Sequence, residues 1–294
     1  MIATPLSPGF HYGIPAARYH ADQLCEQPSL SSGVLRTILE KSIEHGALEH
    51  SRIGSSKREP TPAMNLGSVT HALLAGENSD LVLGNFDSYR SKAAQEWRDA
   101  TESAGKIPVL ERDIEDARPI VAAVREKAAL GCTNDPFAPH GRSEVTAIWK
   151  EGDAFCRARY DRLVIDPNGY ADIWDWKTAN DISVRAIERS IVSMGYHIQA
   201  AFYLRGLTAI LPEYRGRTSF MFVFVETSAP YQVRRVTLSP SFMAIGNRKV
   251  SEGLATWQRA IATNDFKAPA FETLEIEAPA YLDEDDQISI SSAA

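Results

Sequence analysis

A chain of 294 residues, 44% hydrophobic and 23% charged, is long enough to bury a sizeable core, as one large domain or two small ones. Its three cysteines, Cys25, Cys132 and Cys156, lack CxxC spacing, which argues against a zinc or iron–sulfur framework; with no basic apolar leader pattern and no long uncharged apolar run, a reduced, cytoplasmic protein without a membrane part is expected. The net charge of −7 speaks against a nucleic-acid partner until its distribution is considered: Glu272, Glu275, Glu277, Asp283, Glu284, Asp285 and Asp286 follow Phe271 with no Lys or Arg, and the rest of the chain is then near neutral.

Residues 1–28 are rich in proline and read as irregular. Ser31 or Ser32 can cap a helix running through Val34, Leu35, Ile38 and Leu39. The paired serines are either a plain cap or, through Ser32, a phosphate contact at a helix N-terminus. The polar stretch Ile53 to Pro62 reads as a loop, either a lid over a substrate or a mere connection. Gly67 to Leu74 reads as a helix, with His71 partly buried among Val69, Ala72, Leu73 and Leu74. Ser91 to Ala104 and Glu111 to Leu130 are further helices, the second closed by Gly131.

Next come three strands, Val145 to Trp149, Ala154 to Leu163 and Tyr170 to Lys177, separated by the turn signals Glu151-Gly152-Asp153 and Asp166-Pro167-Asn168-Gly169. An antiparallel meander is the economical arrangement. Ile173, Trp174 and Trp176 make the third strand apolar on both faces, as expected of a central strand covered on both sides. Asp175 and Lys177 then share one face, and a buried carboxylate and ammonium call for compensation. Asp161 ends the preceding strand a short hairpin away, so two carboxylates can converge as hard oxygen ligands of Mg²⁺, with Mn²⁺ able to substitute. Lys177 would orient or deprotonate an attacking water, or stabilise charge on a phosphate. Glu144 opens the first strand and is either an exposed strand-end carboxylate or a further acid of the same site. Arg157 and Arg159 share the face of Asp161 by period two, and either contact DNA phosphates or pair with carboxylates. Gln199 and Tyr203 are four apart on one helical face and would hold substrate phosphate or water by hydrogen bonds. Ser219 to Glu226 and Gln232 to Leu238 form a hairpin around Ser228-Ala229-Pro230, and Pro240 to Thr263 is a long closing helix.

Asp161, a hairpin, then Asp175-Trp176-Lys177 resembles the signature of PD-(D/E)XK nucleases. Gln199-x-x-x-Tyr203 resembles the Gln-x-x-x-Tyr motif of their RecB-like branch, and Asn65 to Leu74 resembles that branch's first motif, in which a helical His joins the metal site. Tyr19-His20-Ala21-Asp22 followed by Leu30 to Leu35 resembles the opening of RecE-type phage exonucleases, so the likeness runs over roughly residues 19–265. It implies an α/β fold with a restriction-endonuclease-like core, a central mixed sheet flanked by helices. It implies Mg²⁺-dependent hydrolysis of DNA from duplex ends, 5′-to-3′, with His71, Asp161, Asp175 and the Trp176 carbonyl at the metal. A homo-oligomer and a single-strand annealing partner in phage-type recombination are implied as well. The expected layout is an N-terminal segment over 1–65, a nuclease core over 66–271 and an acidic tail over 272–294.

Overall fold

The structure is a computed structural model that describes residues 4–54, 62–76, 81–132, 134–167, 169–268, 273 and 275–277. The sequence-predicted loop falls largely outside the described residues, as does most of the acidic tail.

Among the described residues the frame is a six-stranded mixed sheet. Its central meander is β4 (Arg142–Glu151), β5 (Ala154–Ile165) and β6 (Ala171–Ala179), each antiparallel to the next. After β6 the chain crosses over and returns as β7 (Thr218–Glu226), parallel to β6, which makes a hairpin with β8 (Val233–Val236). The opposite edge is β1 (Gly9–His11), which pairs antiparallel with β4 through Phe10 and Ala147. The spatial order is therefore β1-β4-β5-β6-β7-β8. The parallel pair is possible because the crossover is long: α7 (Val184–Ser193) and α8 (Tyr196–Ile210) fill it.

The irregular reading of residues 1–28 is corrected in two places, since β1 and a short helix, α1 (Ala16–His20), lie there. Three residues of strand and five of helix carry too little periodicity to announce themselves; the edge of β4 organises the first. Two further short strands, β2 (Leu81–Leu83) and β3 (Ile107–Val109), form a separate parallel pair that the sequence reading also lacked.

One face of the sheet is covered by α8, α2 (Ser32–Glu40), α3 (Ile43–Glu49) and α9 (Pro240–Thr263). Here Trp149, Tyr160, Ile173 and Phe222 meet Phe202, Leu207 and Trp257 in the main core. The helices start where short polar side chains can accept the first free amides: Ser31, Ser183 and Ser239 cap α2, α7 and α9. Gly246 lets α9 cross close over α8, because a Cβ there would stand 2.3 Å from the His197 carbonyl oxygen. The other face carries α4 (Pro62–Ala75) and α6 (Glu111–Lys127), with α5 (Lys92–Ser103) beside β3. Its core is Trp174, Trp176, Val223 and Val225 against Ile120 and Val124. β6 is thus central and buried from both sides, which is why its sequence is apolar at successive positions. Among the described residues no helix is long and apolar enough to cross a membrane.

Candidate active site

The site sits where β5 and β6 part. Their ladder runs from Ile165–Ala171 to Arg162–Trp174 and stops there. Alternation along β5 breaks at the same point: Tyr160 and Leu163, three apart, both enter the main core. Asp161 occupies the break. Its Oδ2 accepts the Trp176 amide at 2.9 Å, taking the place of a strand partner, and lies 3.3 Å from His71 Nδ1. His71 arrives on α4, whose close approach to β6 depends on Gly67; a Cβ there would meet Thr178 Oγ1 at 3.2 Å.

Asp175, one step along β6 from Trp176, is buried. Its Oδ1 accepts the Gln199 amide at 2.7 Å, and its Oδ2 forms an ion pair with the Lys177 ammonium but no well-aligned hydrogen bond. Lys177 faces Asp161 as well, and its ammonium lies 4.7 Å from the Tyr196 ring centre. Tyr203 lines the same cleft, with its ring against Tyr160 and its hydroxyl beside Ser32. The cleft measures about 610 Å³ and takes in His71, Glu144, Asp161, Lys177 and, from α1, Tyr19 and His20.

Charge and burial oppose each other throughout. Burial pushes the Asp175 carboxyl up to about 6, although the Lys177 ammonium works against it. Burial would also raise Asp161, but His71, Lys177 and the Trp176 amide outweigh it and hold it below the usual carboxylate range. For Lys177, burial disfavours the ammonium, yet Asp175 and Asp161 prevail and its pKa is raised. His71 is raised too, because Asp161 outweighs the effect of burial. Glu144 is raised by burial and by Asp161, while Arg159 opposes both.

Sequence reasoning named Asp161, Asp175, Lys177, His71 and Gln199, and the structure brings these five together. Glu144 lies in the cleft in an ion pair with Arg159, and it holds a left-handed backbone (φ 54°) between the ladder pairs Ser143–Arg162 and Val145–Tyr160. Arg159 is on the cleft wall and also donates to the Ile14 carbonyl at 2.9 Å. Arg157 is a correction. As a DNA contact it would need an accessible guanidinium, but its side chain is 5% exposed and paired with Asp22 at 2.9 Å. Ser32 lies beside Tyr203; the cap of α2 is Ser31, which accepts the Val34 amide. Tyr196 was missed, although it precedes Gln199 by three and Tyr203 by seven, on one helical stripe. His20 was missed as a cleft residue because nothing in its neighbours fixes where α1 packs.

A family model described as a PDDEXK-like domain of unknown function (DUF3799) matches residues 34–270. The chain belongs to this PDDEXK-like family. Among solved structures, a "Putative exonuclease" from Eubacterium rectale is similar in fold, with a TM-score of 0.55 and 11% identity, covering 91% of this chain and 96% of that one. The crystal structure of SSO0001 covers 82% of this chain and 96% of its own at 12% identity, with a TM-score of 0.29, and carries no argument. No curated protein matches the chain.

PDDEXK nucleases typically use divalent metals, and the residues of this PDDEXK-like domain fit one. Asp175 Oδ2 is a buried carboxylate oxygen without a well-aligned hydrogen bond, and Asp161 supplies a second hard donor beside His71. Among the described residues no three His, Cys, Asp or Glu side chains stand as a finished metal cage. Mg²⁺ does not ask for one: it keeps several waters and takes one or two carboxylates together with substrate phosphate.

Proposed function

We propose that the protein is a divalent-metal-dependent deoxyribonuclease that hydrolyses phosphodiester bonds from the ends of duplex DNA. The observation that carries the reading is the fork cluster: Asp161 and Asp175 on separating strands, both facing Lys177, with Asp161 and Lys177 lining an open cleft and Asp175 buried beside them. Asp161, Asp175, His71 and the Trp176 carbonyl would hold the cation, and Mg²⁺ is the ion we assign. When bound, it supplies charge stabilisation for the scissile phosphate and lowers the pKa of water.

The chain's own groups do the rest. Lys177, paired with Asp175 and facing Asp161, positions water or neutralises charge on the phosphate. Gln199 fixes the orientation of Asp175. Glu144, paired with Arg159 on the cleft wall, is a further acid of the same site. Arg159 and His20 line the α1 side of the cleft, where a DNA phosphate would enter. The finer reading is a RecE-type enzyme: 5′-to-3′ digestion, a homo-oligomer, and a single-strand annealing partner in phage-type recombination. The resemblance in Asp161…Asp175-Trp176-Lys177, Gln199-x-x-x-Tyr203 and the segment around His71 supports it.

End-labelled linear duplex and covalently closed circles, each with Mg²⁺ or with EDTA, test the proposal together. Mg²⁺-dependent loss of the linear substrate with circles intact is expected. Nicked or linearised circles would replace the exonuclease reading with an endonuclease, and no cleavage of any DNA would overturn both.

Tyr196 provides a narrower test. Its ring lies against the Lys177 ammonium, and a partly desolvated cation–π contact contributes about 1 kcal/mol. Tyr196→Phe should keep the single-turnover rate within about twofold, whereas Tyr196→Ala should lower it about three- to tenfold. Equal rates for the two variants would remove the ring from the account.

A further inference from the structure

The outer edge of the sheet is open. Among the described residues β8 has a strand neighbour on one side only, β7. The Gln232 carbonyl accepts the Glu226 amide at 3.0 Å, and bonded and unbonded pairs alternate along an antiparallel ladder. Arg234 and Val236 therefore bond to β7, while the N–H and C=O groups of Val233 and Arg235 turn outward. A groove of about 700 Å³ lies over that edge, walled by Val184, Ile187 and Phe242 on the α7 side and by Lys127 and Leu130 on the α6 side. Val184 and Leu130 are 60% and 65% exposed, so both walls offer apolar surface. A floor of outward backbone groups between two such walls accepts an added strand, which completes the ladder. A helix uses its N–H and C=O groups internally and has none to offer along its side.

The side chains of the edge narrow the occupant. Val236 packs on the main core with Arg234 on its side, and Val233 packs on the opposite core with Arg235 on its side. The two guanidiniums thus lie on opposite faces of the sheet. Lys127, Arg234 and Arg235 line the groove against a single acid, Glu188, and none of these three cations has an ion-pair partner among the described residues; Arg235 donates to the Cys132 sulfur. One phosphate backbone cannot follow both faces, whereas a strand presents alternate side chains to both. A second β8 is a poor occupant. The registers centred on the arginines set Arg234 opposite Arg234 or Arg235 opposite Arg235, and like charges directly opposed are unfavourable.

We propose that β8 docks an extended acidic segment of a partner protein, which adds antiparallel to it as a further strand of the sheet. The register fixes the pattern of that segment. Residues opposite Val233 and Val236 are apolar, and the two between them, opposite Arg234 and Arg235, are acidic. The recognised pattern is therefore apolar-acid-acid-apolar, and it reads the same in both directions. Its apolar residues fall one on each face, toward Leu130 and toward Val184 and Phe242. The slot stands at the opposite edge of the sheet from β1 and needs no nuclease activity to work.

A labelled peptide, Ser-Thr-Val-Asp-Glu-Val-Thr-Ser, tests it on the full-length protein. Fluorescence anisotropy should show saturable binding. Affinity should fall at least about tenfold when the peptide core is Val-Lys-Lys-Val, or when the protein carries Arg234→Glu/Arg235→Glu. The substituted protein should instead prefer the Val-Lys-Lys-Val peptide, which also shows that it is folded. On addition of the acidic peptide, hydrogen exchange should slow at the Val233 and Arg235 amides and stay unchanged at Arg234 and Val236, which β7 already holds. Absence of binding, or binding that ignores the charge swap, would overturn the proposal, as would binding without that alternating protection. A short DNA duplex that displaced the peptide would make the edge a nucleic-acid contact. A dimer that Arg234→Glu/Arg235→Glu dissociated would put a second copy in the slot. Either result overturns the partner strand.

Discussion

Asp175→Asn should lower DNA cleavage at least ~10²-fold while leaving the protein folded and able to bind duplex. The substitution keeps the shape of the side chain, and its carbonyl oxygen can still accept from Gln199 Nε2. What it removes is the negative charge, which faces the Lys177 ammonium and supplies one of the two carboxylates at the fork. Those interactions count in the transition state, where charge develops on the phosphate, more than in the folded ground state. Lys177→Ala should fall in the same range for the complementary reason. Single-turnover cleavage and filter binding on the same preparations separate the two effects. A purified Asp175→Asn protein that cut linear duplex at the unsubstituted rate would dismiss the fork as the active centre. A variant that lost binding and cleavage in parallel would make Asp175 a structural residue instead.

The second large effect concerns stability. Asp22 is fully buried, and around it stand Arg157 at 2.9 Å, His50 at 3.3 Å, Arg52 at 3.9 Å, and the amide and hydroxyl of Ser29. Arg157 also donates to the Ser29 carbonyl, and the His50 ring lies 5.3 Å from that of Trp257. This cluster ties the N-terminal segment to β5 and to the main core. Asp22→Ala strands a buried guanidinium and should cost about 3–5 kcal/mol, the range for breaking one partner out of a buried pair. Arg157→Ala should cost a similar amount, which a residue that contacts only DNA would not.

The same cluster has a predictable pH dependence. Burial acts to raise the Asp22 carboxyl, but His50, Arg157 and Ser29 outweigh it, and the folded-state pKa lies below the ordinary 3.8. A depressed carboxylate contributes stability that is fully present above the unfolded value and is lost as pH falls through the folded one. The difference in unfolding free energy between the unsubstituted protein and Asp22→Asn should therefore be constant above about pH 5 and shrink in strongly acid solution. Denaturant titrations at three pH values measure it, and a difference that grew on acidification would refute the assignment.

The local rules of the chain were enough for much of the architecture. Apolar and β-branched runs broken by Glu151-Gly152-Asp153 and Asp166-Pro167 define the meander β4–β5–β6, because turn chemistry and period two act within a few residues. The double-sided apolar character of Ile173 to Trp176 placed β6 at the centre. Period two put Asp175 and Lys177 on one face, and period 3.6 put Gln199 and Tyr203 on another. The same period would have added Tyr196.

Tertiary structure decided what periodicity leaves open. Arg157 and Arg159 are equivalent by parity, yet one is sealed against Asp22 and the other lines the cleft; which partner arrives depends on the packing of residues 19–29, distant in sequence from β5. Asp161 reaches His71 and the Trp176 amide because the alternation of β5 breaks beneath it, and a break of one residue leaves no compositional trace. β1 exists only because β4 offers an edge, for three residues have no preference strong enough to order themselves. Residue types and spacing thus settled which side chains can share a face. The partners each one finds came from contacts between segments far apart in the chain, where burial energy rather than local propensity makes the choice.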